Sequence, residues 1–150
     1  MAKYSIDGQD TNTAATTLLG VDAGATPRRG KIYDMTVGSD ATPADNTAEY
    51  VLQRYTVDGT STAVTPQALD PADAAALSEA GEAHSAEPTY TANAILLQWA
   101  QNQRATYRWV AAPGGELVFP ATADNGIGVQ VIGIAGSAVN MNVTQHFEEQ

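Results

Sequence analysis

Apolar and polar side chains alternate in short runs cut off by turn residues, and this most restricts what the chain can fold into. The pattern is clearest near the C-terminus. Val139, Met141, Val143, Gln145 and Phe147 share one side, and Asn140, Asn142, Thr144 and His146 share the other. A period of two belongs to an extended strand with one face buried and one face in water. Residues 31–37 repeat it, with Tyr33, Met35 and Val37 on one side, although Ile32 interrupts the polar side. Residues 48–57 set Tyr50, Leu52 and Arg54 against Val51, Gln53 and Tyr55. Residues 104–111 set Ala105, Tyr107, Trp109 and Ala111 against Arg104, Thr106, Arg108 and Val110. Shorter strand-like runs lie at 62–65, 94–97, 116–119 and 129–134. Between the runs stand Asp58-Gly59, Pro113-Gly114-Gly115, Pro120 and Asn125-Gly126, all residues that turn a chain.

About eight strands at this spacing predict an all-β fold, an antiparallel β-sandwich of jelly-roll type. One segment, around residues 70–81, departs from the pattern. Asp70 suits a helix cap, Pro71 the first helical position and Gly81 the stop, so the Ala-rich stretch reads as a short helix or a loop insertion. Residues 8–17 are polar, and the chain is expected to be a single β-sandwich domain over 1–150 with an N-terminal arm at 1–15.

Composition narrows the function. The 150 residues include no cysteine, which excludes disulfides, thiolate zinc sites and cysteine nucleophiles. Seventeen acidic against seven basic residues give a net charge of -10, which repels nucleic acid and anionic lipid. No apolar run approaches the roughly 20 residues of a membrane span. Asp7, Gln9 and Asp10 interrupt any apolar leader after Met1, so the chain is expected to be made in the cytoplasm.

Catalytic or metal-binding groups are poorly supported. His84 lies between Glu82 and Glu87, and His146 precedes Glu148 and Glu149, but neither set supplies the converging ligands of a metal centre. Asp7, Asp10 and Asn12, and likewise Asp40, Asp45 and Asn46, lack the closing Glu of a calcium loop. Gly-x-Ser-x-Gly is missing, and few acids fall inside strands; Asp34, Glu49 and Glu116 are the main ones. The expectation is no enzyme, no cofactor and no metal. Tyr107 and Trp109 share a strand side and read as core residues, with a sugar-stacking platform as the alternative. Arg104 and Arg108 on the opposite side, together with the cluster Arg28-Arg29-Lys31, are candidate interface residues in an arginine-poor chain.

Two longer stretches carry a resemblance. The first is Arg29-Gly30-Lys31-Ile32-Tyr33-Asp34-Met35-Thr36-Val37-Gly38 followed by Thr47-Ala48-Glu49-Tyr50-Val51-Leu52-Gln53-Arg54-Tyr55. The second is Arg108-Trp109-Val110-Ala111-Ala112-Pro113-Gly114-Gly115-Glu116-Leu117, with Pro120-Ala121-Thr122 and Asn125-Gly126-Ile127-Gly128. Over roughly residues 28–135 the chain resembles the capsid decoration, or cement, proteins of tailed bacteriophages. The resemblance implies a virion protein that binds the outer surface of the head, commonly as a homotrimer, with the major capsid protein as partner. It transfers no catalytic residue. A tail or neck component of the virion, a carbohydrate-binding module on Tyr107 and Trp109, and an enzyme assembled from acids and one His are the competing readings.

Overall fold

The computed structural model describes residues 1–40 and 42–150; Ala41, within the predicted loop 38–46, lies outside them. Two antiparallel sheets pack face to face as a β-sandwich. The strands in chain order are β1 (Lys3–Thr11), β2 (Thr17–Ala23), β3 (Gly30–Ser39), β4 (Thr47–Tyr55), β5 (Thr60–Val64) and β6 (Gln67–Ala68). They continue with β7 (Ser78–Ala86), β8 (Tyr90–Asn102), β9 (Tyr107–Val110), β10 (Leu117–Phe119), β11 (Gly126–Ile134) and β12 (Asn140–Glu149). The first sheet runs β10-β3-β12-β1-β6, with β9 also on the β3 edge; the second runs β5-β7-β2-β11-β4-β8.

The pairing is nested. The first strand pairs with the last, β2 with β11, β3 with β9 and β10, and β4 with β8. The chain therefore folds back on itself as a long doubled ribbon, whose successive portions alternate between the two sheets. The inserted strands β5, β6 and β7 extend this frame along one side: β7 adds to β2, β5 to β7, and β6 to β1.

Most strands bury the side their alternation predicts, but β3 does not at Tyr33: a β-bulge between Ile32 and Asp34 puts Ile32 in the core with Met35 and Val37 and turns Tyr33 outward toward His146 and Lys3. The first sheet contributes Tyr4, Ile6, Ile32, Met35, Val37, Met141, Val143 and Phe147, and the second Leu19, Val21, Tyr50, Leu52, Ile127, Val129 and Val131. Each of these large side chains contributes roughly 1.5–3 kcal/mol by leaving water. At one end Phe147 contacts Tyr4 and Phe119, with centroids 5.4 and 6.1 Å apart. At another place Trp99 lies between Tyr50 and Tyr107, stacked at 5.4 and 4.9 Å.

Three sequence expectations are corrected. The arm expected at 1–15 is not an arm: Lys3–Thr11 is an interior strand, paired with β12 along its length and with β6 at its start. Its polar residues occupy the solvent side, while Tyr4 and Ile6 are buried. The helix option at 70–81 is also absent. Asp70 does form a cap-like turn, accepting from the Ala72 amide at 2.9 Å. The chain then continues as a loop, and Ser78 enters β7, where Ala80 and Gly81 are hydrogen-bonded between β2 and β5. Strand neighbours on both sides satisfy more backbone groups than one isolated helical turn, which is costly to nucleate. Third, Arg104 does not share a strand with Arg108; it sits in the turn between β8 and β9.

The outer sides of the two sheets differ. The Thr56–Gly59 connection and the segment following β7 are hydrogen-bonded to each other, Thr56 amide to Thr89 carbonyl at 3.1 Å and Thr89 amide to Val57 carbonyl at 2.9 Å. They border a small second cluster on the outer side of the second sheet, where Tyr55 and Tyr90 meet edge to face at 6.0 Å. Gly126 and Gly128 leave the backbone bare beneath these two rings; a Cβ at either would collide with Tyr55 or Tyr90.

Candidate interaction face

The outer side of the first sheet is built by the same alternation that builds the core. Register places Lys31 opposite Glu148, Asp34 opposite His146 and Thr36 opposite Thr144, and on the next strand Arg108 opposite Thr36. Strand β1 adds Lys3, Ser5 and Asp7, with Lys3 opposite Glu148 and Asp7 opposite Thr144.

These side chains form a connected layer. Arg108 donates twice to Asp34, Nε to Oδ1 at 3.1 Å and Nη2 to Oδ2 at 2.7 Å. The guanidinium fork matches both carboxylate oxygens, the geometry in which a surface pair is most ordered. His146 Nδ1 lies 3.8 Å from the same Asp34 oxygen. The Tyr33 ring sits 6.1 Å from the His146 ring, and the Lys3 ammonium lies 5.3 Å over Tyr33. Lys31 and Glu148 pair at 3.5 Å. The hydrogen bonds from Arg108, opposed by partial burial, hold the Asp34 carboxyl below its ordinary range.

Three cations (Lys3, Lys31 and Arg108) thus stand among three carboxylates (Asp7, Asp34 and Glu148) on one face of a molecule whose net charge is -10. Glu116 borders this face beside Lys31, and Asp40 borders it through Asn140. Arg108 and Val110, which ends the same strand, are 64% and 56% exposed, so this edge of the layer is open to a partner.

The four arginines singled out from sequence do not form one patch. Arg28 and Arg29 are exposed just before β3 begins at Gly30. Arg104 lies beyond the other end of β3, where its Nε reaches the Pro43 carbonyl at 3.4 Å. Only Arg108 belongs to the layer around Asp34 and His146. Tyr33, Lys3 and His146 were not singled out from the sequence as interface residues. The signal was there for His146, on the polar side of the clearest strand, but its partners come from β1, β3 and β9.

The other sequence candidates fall into structural positions. Tyr107 stacks on Trp99, so one of its faces is already covered, and Trp109 is half-buried against the core. His84 is partly buried and its Nδ1 has no hydrogen-bond partner; burial pushes its pKa down. Glu87 accepts from the Thr17 amide at 2.9 Å, and Glu82 from the Gln9 amide. Asn12 is buried and bridges strands, donating to the Tyr50 hydroxyl at 3.1 Å and accepting from the Val139 amide at 2.7 Å. Among the described residues no group of three or more His, Asp or Glu is placed to hold a metal ion. Comparison with protein-family models, with curated proteins and with solved structures finds no match to this chain.

Proposed function

We propose that this protein is a structural virion component, a capsid decoration protein that binds the outer surface of a phage head through the outer side of its first sheet. The observation that carries the reading is the ion-paired layer in which Lys3, Lys31 and Arg108 stand among Tyr33, Asp34, His146 and Glu148 on a strongly acidic molecule. Like-charged copies crowded on a lattice repel one another, and a face on which cations are paired with carboxylates lets each copy meet its partner with less of that repulsion. The paired order of β1 with β12, β2 with β11, β3 with β9 and β10, and β4 with β8 supports the finer assignment of jelly-roll type. Jelly rolls recur in viral capsid domains and lectins, which is an analogy of fold and not of site.

The major capsid protein is the partner and a homotrimer the expected oligomer; a tail or neck position in the virion is the second reading. Co-sedimentation with capsids stripped of the protein tests the proposal. Binding is expected for the unaltered chain. Arg108→Glu, which puts a second carboxylate against Asp34, is expected to reduce binding at least tenfold while leaving the circular dichroism spectrum unchanged. Equal binding by the folded variant sinks the assignment of this face. Binding to isolated tails in place of capsids favours the second reading, and light scattering gives the oligomer directly.

A further inference from the structure

We propose that the side of the sandwich built by β8, β9 and β10 binds a second copy of this chain, with β8 pairing antiparallel to β8 of that copy across a two-fold axis. These three strands follow one another in the chain, and they form the edges of both sheets on that side. The Trp99 ring of β8 stacks on the Tyr107 ring of β9 at 4.9 Å, which holds the two edges together. The inference does not depend on the decoration reading, and it predicts a dimer in solution where the resemblance implies a homotrimer.

The edge is open. Among the described residues β8 pairs with β4 alone, so one row of its backbone donors and acceptors meets no strand. Proteins usually blunt such an edge with lysines, prolines or bulges, because it invites another strand. From Tyr90 to Asn102, β8 has no charged residue and no proline. Its register irregularities fall between Tyr90 and Leu97, while Leu97–Asn102 pairs regularly with β4. That regular part is a template for a further strand. At the far edge of the same sheet, β5 is only 5 residues long and Pro66 follows closely.

Charge indicates the occupant. Of the 17 acidic residues only Glu116 lies within residues 88–123, where Arg104 and Arg108 are the basic ones. The negative charge is carried by the rest of the chain, so two copies that meet on this side bring almost no acid against acid. A strongly basic partner is drawn to the acid-rich remainder instead. Two identical strands paired antiparallel across a two-fold are self-complementary, and an uncharged β8 sets no like charges opposite one another. Apolar surface lies along the same side. Ile95 and Val110 are 45% and 56% exposed, and Leu96, Leu97, Trp109 and Leu117 are only partly buried against the core. Size agrees as well. The 13 residues of β8 span roughly 40 Å at about 3.3 Å each. An ordinary interface of about 800 Å² per partner needs a strip about 20 Å wide along that length. Two sheets about 10 Å apart, with their side chains, are about that thick.

Sedimentation velocity of the full chain, from low to high micromolar concentration, tests this. Twice the chain mass is expected at the upper end, with amide hydrogen exchange slowing at Leu97–Asn102 as the dimer forms. Ala100 is exposed on β8, opposite Glu49. Ala100→Lys puts a lysine from each copy at the contact and is expected to weaken dimerisation at least tenfold while the circular dichroism spectrum stays unchanged. The chain has no cysteine, so Ala100→Cys and Thr62→Cys place single thiols on β8 and β5. A short bismaleimide is expected to join copies of the first variant and not of the second. A monomer throughout, a trimer, crosslinking through Thr62→Cys alone, or equal dimerisation by folded Ala100→Lys overturns the proposal. So does protection of Leu97–Asn102 that arises only on stripped capsids, which assigns the edge to a segment of the capsid protein. Mass and exchange are read on the unaltered chain, so failure of a variant to fold leaves the test decisive.

Discussion

At the level of single residues, three groups sit in places that their chemistry makes costly or pH-dependent. Gln145 is fully buried on the core side of β12; its amide nitrogen reaches only the Met35 sulfur at 3.9 Å, and its Oε1 has no partner. A half-satisfied amide in a core costs about 1–3 kcal/mol, whereas an apolar side chain of similar length does not carry that cost. Gln145→Met is therefore expected to raise stability by about 1–2 kcal/mol, read from the urea midpoint at unchanged slope. Asp22 gives the opposite of ordinary acid denaturation. Its folded pKa of about 7 exceeds that of an unfolded carboxyl, so the folded state holds the extra proton between about pH 4 and pH 7. Its contribution to stability is greatest at the acid end of that window and is lost as pH rises through about 7. Asp22→Asn is expected to remove this fall, which paired denaturation curves at pH 4.5 and 8 measure. Asp34 behaves in the usual direction: its pKa is lowered, chiefly by the Arg108 hydrogen bonds, so what it contributes is present above the ordinary carboxyl range and lost as pH falls through the folded value. Arg108→Gln is expected to move the Asp34 carboxyl titration upward, followed by carbon NMR.

Among the elements, β1 matters most for testing the architecture. It lies between β12 and β6, buries Tyr4 and Ile6, and is followed directly by Asn12, whose side chain ties it to Tyr50 and Val139. Deleting residues 2–15 removes a paired strand and opens the core, so the expected result is loss of the cooperative unfolding transition. A folded, soluble product of that deletion would contradict the interior placement of β1. Asn12→Ala is the milder probe. It leaves the Val139 amide and the Tyr50 hydroxyl without their partner and is expected to cost about 1–3 kcal/mol, again from urea denaturation. Strand β7 shows how small residues serve a sheet: Ser61 crosses so close to Gly81 that a Cβ there would meet its hydroxyl. The same Ala and Gly residues that suggest a weak helix in the sequence are here the residues that let strands approach.

For the whole molecule, nested pairing sets how it folds and where its charge lies. The first strand pairs with the last, so residues some 130 to 145 positions apart must meet before that part of the first sheet exists. Closing such loops is entropically expensive, and folds dominated by distant pairings refold in roughly milliseconds to seconds. Stopped-flow fluorescence of Trp99 and Trp109 is expected to report a rate in that range; a microsecond phase carrying the full amplitude would be inconsistent with the topology. The nesting also separates two surfaces. One is an open polar layer in which cations are paired with carboxylates, and the other carries a covered tyrosine cluster beside a carboxylate without a cation.

Local pattern was enough for the fold class, for the inward side of most strands and for placing Tyr107 and Trp109 against the core, because alternation is a property of neighbouring residues along one strand. It did not reveal β2, since Leu18-Leu19-Gly20-Val21 is buried on both sides and has no polar side to count. Nor did it reveal β1 or β7, whose polar or small residues become strand only through partners far away in the chain. The layer around Arg108 and the pairing of Asp22 with Tyr55 were equally hidden, because each gathers side chains from strands that are not consecutive. Which strand lies beside which is decided by the competition among long-range pairings for buried apolar area and backbone hydrogen bonds, and that competition exists only in three dimensions.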